Sequence, residues 1–219
     1  MGLFHGISRI RGWRGNSRHG SPSPGEKPDL LFVGQLIPRK NLLPFLRAAR
    51  QCRGAFRRCL VAGDGPLREQ AVLETEDCGQ ISLLGTLGNE ETRRLMRQCD
   101  LLVLPSLFDG WGAVVNEALQ SGMRVLCSTA CGAASLLDGR QRGGSFDPDR
   151  PESLRRALRE WLDKGRLSPA ERKTIAAWAE QTISGAAAAR YLVHIVHYTE
   201  GREENRPAAP WAPLKETAS

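Results

Sequence analysis

Along the middle of the chain, short continuous apolar runs alternate with stretches whose apolar residues recur every three or four positions. The runs Leu30 to Val33, Cys59 to Ala62, Ile81 to Leu84, Leu101 to Leu104 and Val125 to Ser128 read as strands buried on both faces. Between them, Leu42, Phe45, Leu46 and Ala49 follow Asn41 at helical spacing, and Pro66 after Asp64 stands where a first-turn proline is tolerated. Asn89 is placed to cap the segment bearing Leu95, Met96 and Cys99, and a helix starting near Gly112 carries Glu117. Later, Leu154, Leu158, Trp161 and Leu162 form one stripe within Glu152 to Lys164. Ser168, Pro169 and Glu171 make a capping box that opens a helix through Trp178. This alternation predicts an α/β fold, a single Rossmann-like doubly wound parallel sheet with helices on both faces.

The ends break the pattern. Residues 1–28 are rich in Gly, Ser, Pro and Arg and read as a flexible basic arm, and residues 201–219, with three prolines, as a flexible tail; the domain lies between, at 29–200. The N-terminal apolar residues are too scattered for a signal peptide, and no run reaches the roughly 20 residues of a spanning helix, so a cytoplasmic protein is expected. The six cysteines form no CxxC pair, which points to small core residues rather than a metal site. The net charge of +7 favours anionic partners. Because the arginines are spread over several helices without interleaved aromatics, nucleic acid is not among those expected.

Ligands of open parallel sheets bind beyond the carboxyl ends of the strands, and each glycine-rich turn here falls at such an end: Gly34, Gly63 with Gly65, Gly85, and Gly110 with Gly112. In VGQLIPRKN, Arg39 and Lys40 arrive just before a helix, where two cations beside free N–H groups suit a diphosphate; a solvated turn is the alternative. GDGP at Gly63 to Pro66 reads equally as a phosphate or ribose loop or as a tight turn. Asp109 and Glu117, with seven residues between them, flank a helix N-terminus that would attract a phosphate with a sugar on either side. Glu117 stands among the apolar Val114, Val115, Ala118 and Leu119, so it is expected to be partnered or functional, and paired ribose hydroxyls would satisfy it. Asp109 would accept from a sugar hydroxyl or cap the turn, and Trp111 would pack or wall a sugar pocket. Asp147-Pro148-Asp149, the one DxD, precedes Pro151 and reads as a turn and cap rather than a metal-diphosphate site.

In this order, VGQLIPRKN, AGDGP, LLGTL, DLLVLPS and the acid spaced from Glu117, Ala118 and Gly122 resemble the donor-binding half of the family 4 retaining glycosyltransferases, which have the GT-B fold. The resemblance runs from about Asp29 to Phe146, and more loosely to Tyr198. It implies that Lys40 with Arg39 neutralises a leaving diphosphate, Glu117 holds the ribose, Asp109 contacts the donor sugar, and Leu84 and Gly85 lie near the base. Backbone N–H groups of Gly110, Trp111, Gly112, Ala113 and Val114 would meet sugar and phosphate. The family's usual arginine after the first-strand glycine is Gln35 here, so the diphosphate would rest more on Arg39 and Lys40. The implied donor is a UDP- or GDP-sugar, with no cofactor and no metal, and the implied reaction is hexosyl transfer with retention.

The resemblance also implies a second, acceptor-binding half that is not recognisable here, since about 28 residues precede the first strand. His5 and His19 lie in the arm and His194 and His197 in the last helix, so none matches a cleft histidine. That helix, which in the whole fold crosses to the other half, is expected to leave the apolar face of Ala187 to Val196 without an intramolecular partner. Three readings stay open: a donor subunit completed by a separate acceptor-binding subunit, a nucleotide-sugar binder that transfers nothing, and an interaction module that has kept only the fold. By analogy, such enzymes build cell-surface polysaccharides on lipid carriers, and the basic charge would suit peripheral association with the inner face of a membrane.

Overall fold

The computed structural model describes Ser23, residues 25–137 and residues 140–212. Within these residues six strands form one sheet: β1 (Asp29–Val33), β2 (Arg58–Ala62), β3 (Ile81–Gly85), β4 (Leu101–Leu104), β5 (Arg124–Ser128) and β6 (Gly143–Phe146). Every pairing is parallel and the order is β3-β2-β1-β4-β5-β6. That order reverses direction between β1 and β4, which opens a crevice at their carboxyl ends where the connections leave toward opposite sides.

Among the described residues, seven α-helices flank the sheet: α1 (Leu42–Gln51), α2 (Arg68–Thr75), α3 (Asn89–Gln98), α4 (Ala113–Gln120), α5 (Pro151–Asp163), α6 (Pro169–Ile183) and α7 (Gly185–Thr199). One apolar layer joins α1 and α5 to the sheet through Phe32, Phe45, Leu46, Val103, Leu158 and Trp161. The opposite layer packs α3, α4 and α6 through Leu31, Met96, Leu102, Val115, Leu119 and Ile175. Successive strand residues divide between the two layers, as a sheet covered on both faces requires.

The first five strands lie where the apolar runs predict them, within one residue at either end. The sixth, Gly143-Gly144-Ser145-Phe146, has low strand propensity and was not predicted. Its glycines are demanded by proximity. A Cβ at Gly143 would meet the Val125 carbonyl oxygen at 1.8 Å, and one at Gly144 would meet the Trp161 indole nitrogen at 2.7 Å.

Two helix starts differ from expectation. Gly88, not Asn89, is the N-cap of α3, because the Glu91 carboxylate reaches back to the Gly88 N–H at 3.0 Å. Pro66 precedes α2 rather than opening it. Leu67 N–H donates to the Leu36 carbonyl and Arg68 N–H to that of Gly65, which ties residues 65–68 into a turn before the helix begins. The capping box at Ser168 and Glu171 forms as predicted, with reciprocal bonds of 3.2 and 2.8 Å. The DxD forms a turn: Asp149 N–H donates to Asp147 Oδ1, Arg150 pairs with Asp147, and Asp147 N–H donates to Ser153 Oγ.

The N-terminal ends of the strands are fastened by buried charge. Asp100 accepts from the N–H groups of Asp29 and Leu167 and pairs with Arg172, while Asp29 pairs with Arg57 and Arg58. Burial nonetheless pushes the Asp100 carboxyl above the usual carboxylate range. All six cysteines are free and buried, and burial raises the Cys59 and Cys99 thiols. Among the described residues no helix is long and apolar enough to cross a membrane.

Residues 201–212, expected as a loose tail, fold back along α7. Arg202 N–H donates to the His197 carbonyl, Glu203 lies 2.9 Å from His194, and Tyr191 Oη donates to the Pro207 carbonyl. On the other side of α7, Leu192, Val193 and Val196 are exposed as expected, while Ala187 is buried. Most of the predicted arm, including His5 and His19, lies outside the described residues.

Candidate functional site

The crevice between β1 and β4 brings two loops together. After β1, Pro38–Lys40 makes a single 3-10 turn whose basic residues end it, and Asn41 adopts a left-handed conformation before α1. After β4, the chain runs through Pro105 and Ser106 to Asp109. Lys40 Nζ lies 2.5 Å from Asp109 Oδ2, each side chain being 15% exposed. The neighbouring Arg39 closes the same seam twice: its guanidinium donates to the Phe108 carbonyl, and its own carbonyl accepts the Leu107 N–H. The two residues expected to face a diphosphate are thus fastened to the loop expected to hold the sugar.

A third loop, after β5, backs the second. Asp109 N–H donates to the Ala130 carbonyl and the Asp109 carbonyl accepts from Gly132 N–H. The Trp111 carbonyl accepts from Ala133 N–H and from the Cys131 thiol. Gly112, at φ 85°, then turns the chain into α4 as its N-cap. A Cβ there would meet Cys131 Sγ at 2.5 Å, so the turn accepts only glycine without rearrangement. As N-cap, Gly112 offers no side-chain acceptor, and the N–H groups of Ala113 and Val114 have no intrahelical one. Such open N–H groups carry partial positive charge that favours an anion.

Glu117 requires a correction. It was expected to be buried among apolar neighbours and therefore partnered or functional, but it lies on the exposed side of α4, while Val115, Ala118 and Leu119 turn inward. Water can satisfy it, so burial gives no argument for its function. Ala118 and Gly122 of the same motif have packing roles: Ala118 is wholly buried, and a Cβ on Gly122 would meet the Arg172 carbonyl at 2.6 Å.

The GDGP turn also has a packing explanation. A Cβ on Gly63 would fall 1.8 Å from the Gly34 carbonyl oxygen, and one on Gly65 2.7 Å from that of Leu36. Gly63 N–H donates to the Gly85 carbonyl, Gly65 N–H to the Asp64 carboxylate, and Leu36 N–H to the Asp64 carbonyl. The three loops after β1, β2 and β3 are therefore laced edge to edge, with Leu84 and Gly85 half-buried at the far end and Gln35 exposed between them and Lys40. Trp111, expected either to pack or to wall a pocket, is 37% exposed; its indole N–H donates to Asn116 and its ring packs on Trp211.

Three contributors escaped the sequence. Cys131 and Gly132 shape the β4 loop from behind, and Trp211 reaches it from the C-terminal segment; each acts through tertiary proximity that no local pattern announces. The Ser128 hydroxyl, which donates to the Ser106 carbonyl at 2.5 Å, anchors the start of the same loop.

A family model described as glycosyl transferases group 1 matches residues 14–181. An uncharacterised glycosyltransferase of Methanocaldococcus jannaschii is 26% identical over 147 residues, 66% of this chain and 40% of that protein. The 2-deoxystreptamine glucosyltransferase of Streptomyces kanamyceticus is 32% identical over 126 residues, 55% of this chain and 32% of its own length. HepE of Anabaena, solved in complex with UDP, superposes with a TM-score of 0.65 at 19% identity, covering 79% of this chain and 49% of that one. The chain thus spans half or less of these relatives' lengths, and what it shares with HepE is one parallel-sheet half of a GT-B architecture. With a family match over most of its length and the family's loops assembled at the switch of its sheet, the chain belongs to the glycosyl transferases group 1 family.

Proposed function

We propose that this domain binds the nucleotide-sugar donor of a retaining hexosyl transfer. The observation that carries the reading is the convergence of Lys40, Asp109 and the N-terminus of α4 at the sheet's topological switch point. A diphosphate entering between the two loops would meet the α4 N–H groups and draw Lys40 away from, or share it with, Asp109. Asp109 would then accept from a hydroxyl of the donor sugar, and Glu117, exposed on α4, from the ribose. Negative charge grows on the diphosphate as it leaves, so a fixed cation and helix dipole there favour the transition state over the ground state. The scheme needs no divalent metal, since Lys40, Arg39 and the helix terminus supply the positive side.

UDP is the first nucleotide to try, because a structural neighbour is seen with it; a GDP-sugar is the second. The acceptor, a glycan or lipid-linked carrier of cell-surface polysaccharide synthesis at the inner face of a membrane, would be held by a further half, in a longer chain or a separate subunit. The same donor geometry would serve a binder that transfers nothing. Thermal-shift titration with UDP-, GDP- and ADP-sugars tests the shared premise: one series should raise the melting temperature of the wild type and not of Glu117→Ala. If none raises it, donor binding is wrong. Sugar transfer on addition of an acceptor-binding half then separates enzyme from binder.

A further inference from the structure

Trp211 touches the donor loop from a segment far away in sequence. Its ring centroid is 5.5 Å from that of Trp111, with the planes tilted by 58°, within the range where aromatic pairs attract beyond their buried area. Trp211 is half-buried and also packs against the apolar layer that contains α4 and α6. The strap that delivers it is fastened to α7 by the bonds of Arg202, Glu203 and Pro207 described above, so the pairing is made by an anchored segment.

Trp111 is held on its other sides as well. Its carbonyl takes the Ala133 N–H and the Cys131 thiol, and its indole N–H donates to Asn116. A Cβ on Gly132 would lie 3.3 Å from its ring, which places the β5 loop against one edge. Trp211 supplies the contact these leave out. Trp111 stands between Gly110 and Gly112, two residues after Asp109 and two before Ala113, so an indole free to swing would loosen both the carboxylate and the open N–H groups.

We infer that Trp211 is a positioning residue, by which the C-terminal strap fixes Trp111 and with it the Asp109–Val114 segment that receives the sugar and phosphate of the donor. This rests on the donor-binding reading. Its consequence is selective: the strap matters for the sugar side of the donor and little for the nucleoside side, which the donor-binding reading puts toward Leu84 and Gly85.

The test is calorimetric titration of the full chain with UDP against UDP-glucose and with GDP against GDP-mannose. Trp211→Ala and Trp211→Leu should weaken the sugar conjugate that binds roughly three- to tenfold, leave the matching free nucleotide within about twofold, and keep the wild-type melting temperature within a few degrees. Trp211→Phe should recover most of the loss. The exciton couplet of the tryptophan pair in circular dichroism should be present in the wild type and absent in all three variants. Equal affinities in Trp211→Ala and wild type, an equal loss for nucleotide and conjugate, or a wild type without the couplet overturns the inference. A wild type that binds no nucleotide sugar, with the couplet present, instead overturns the donor reading on which it rests.

Discussion

Lys40 and Asp109, 69 residues apart in sequence, form a 2.5 Å ion pair that joins the loops after β1 and β4 across the point where the sheet reverses its order. Both side chains are largely withdrawn from water, so neither is indifferent to losing the other. Lys40→Met and Asp109→Asn should each lower stability by about 1–3 kcal/mol in chemical denaturation, because each strands a mostly buried partner. The double variant should show a coupling of about 1–2 kcal/mol. Strict additivity would mean that the pair does not form in solution.

Glu117 should separate stability from function. As an exposed residue of α4 it can become Gln with a change in stability within about 0.5 kcal/mol. If it holds the ribose, the same variant should bind the donor about ten- to hundredfold more weakly, the loss expected for charge-assisted bonds to a ligand. Denaturation and calorimetry on one preparation measure both, and a parallel loss of both would refute the assignment.

The glycines of the rim divide into those that make room and those that do not. Gly63, at φ 141°, faces the Gly34 carbonyl at a distance no Cβ can occupy, whereas a Cβ at Gly110 meets nothing within 4 Å. Gly63→Ala should cost about 3 kcal/mol or more, roughly 6–12 °C in melting temperature, while Gly110→Ala melts close to the wild type. A tolerant Gly63 would mean that the loops after β1 and β2 are not laced as described.

What could be read from the chain and what could not have physical causes. The strands β1 to β5 are continuous apolar runs because both faces of the sheet are covered, and such runs are visible without any tertiary knowledge. β6 escapes because its two glycines, poor strand formers, are chosen for the closeness of Val125 and Trp161, which only the folded state reveals. At the site, Arg39, Lys40 and Asp109 could be named from their place after strands, but not that Lys40 pairs with Asp109 or that Arg39 bonds to the Phe108 carbonyl. Glu117 stands among apolar residues in the sequence, yet α4 turns Val115, Ala118 and Leu119 inward and leaves Glu117 exposed. Trp211 carries no local signal at all, since its role depends on a chain reversal after α7.

The capping box of α6 should give the protein a measurable acid limb. Burial works against the Glu171 charge, but bonds from the Ser168 N–H and hydroxyl and the guanidinium of Arg124 outweigh it and hold the carboxyl below its ordinary value of 4.5. A group depressed in the folded state binds its proton more readily when unfolded. Its contribution is therefore complete above about pH 4.5 and is lost as the pH falls through the lower, folded value. Glu171→Gln removes that dependence while keeping the side chain's length and its ability to hydrogen-bond. Its stability should fall less steeply than the wild type's between pH 5 and pH 3, in roughly one-half-unit steps of denaturant titration, and the two curves should converge at the acid end. Because Glu171 is nearly half exposed, the difference between the curves should also shrink in high salt. Parallel acid limbs for the two proteins would show that the Arg124 pair and the cap do not discriminate between the charged and neutral carboxyl.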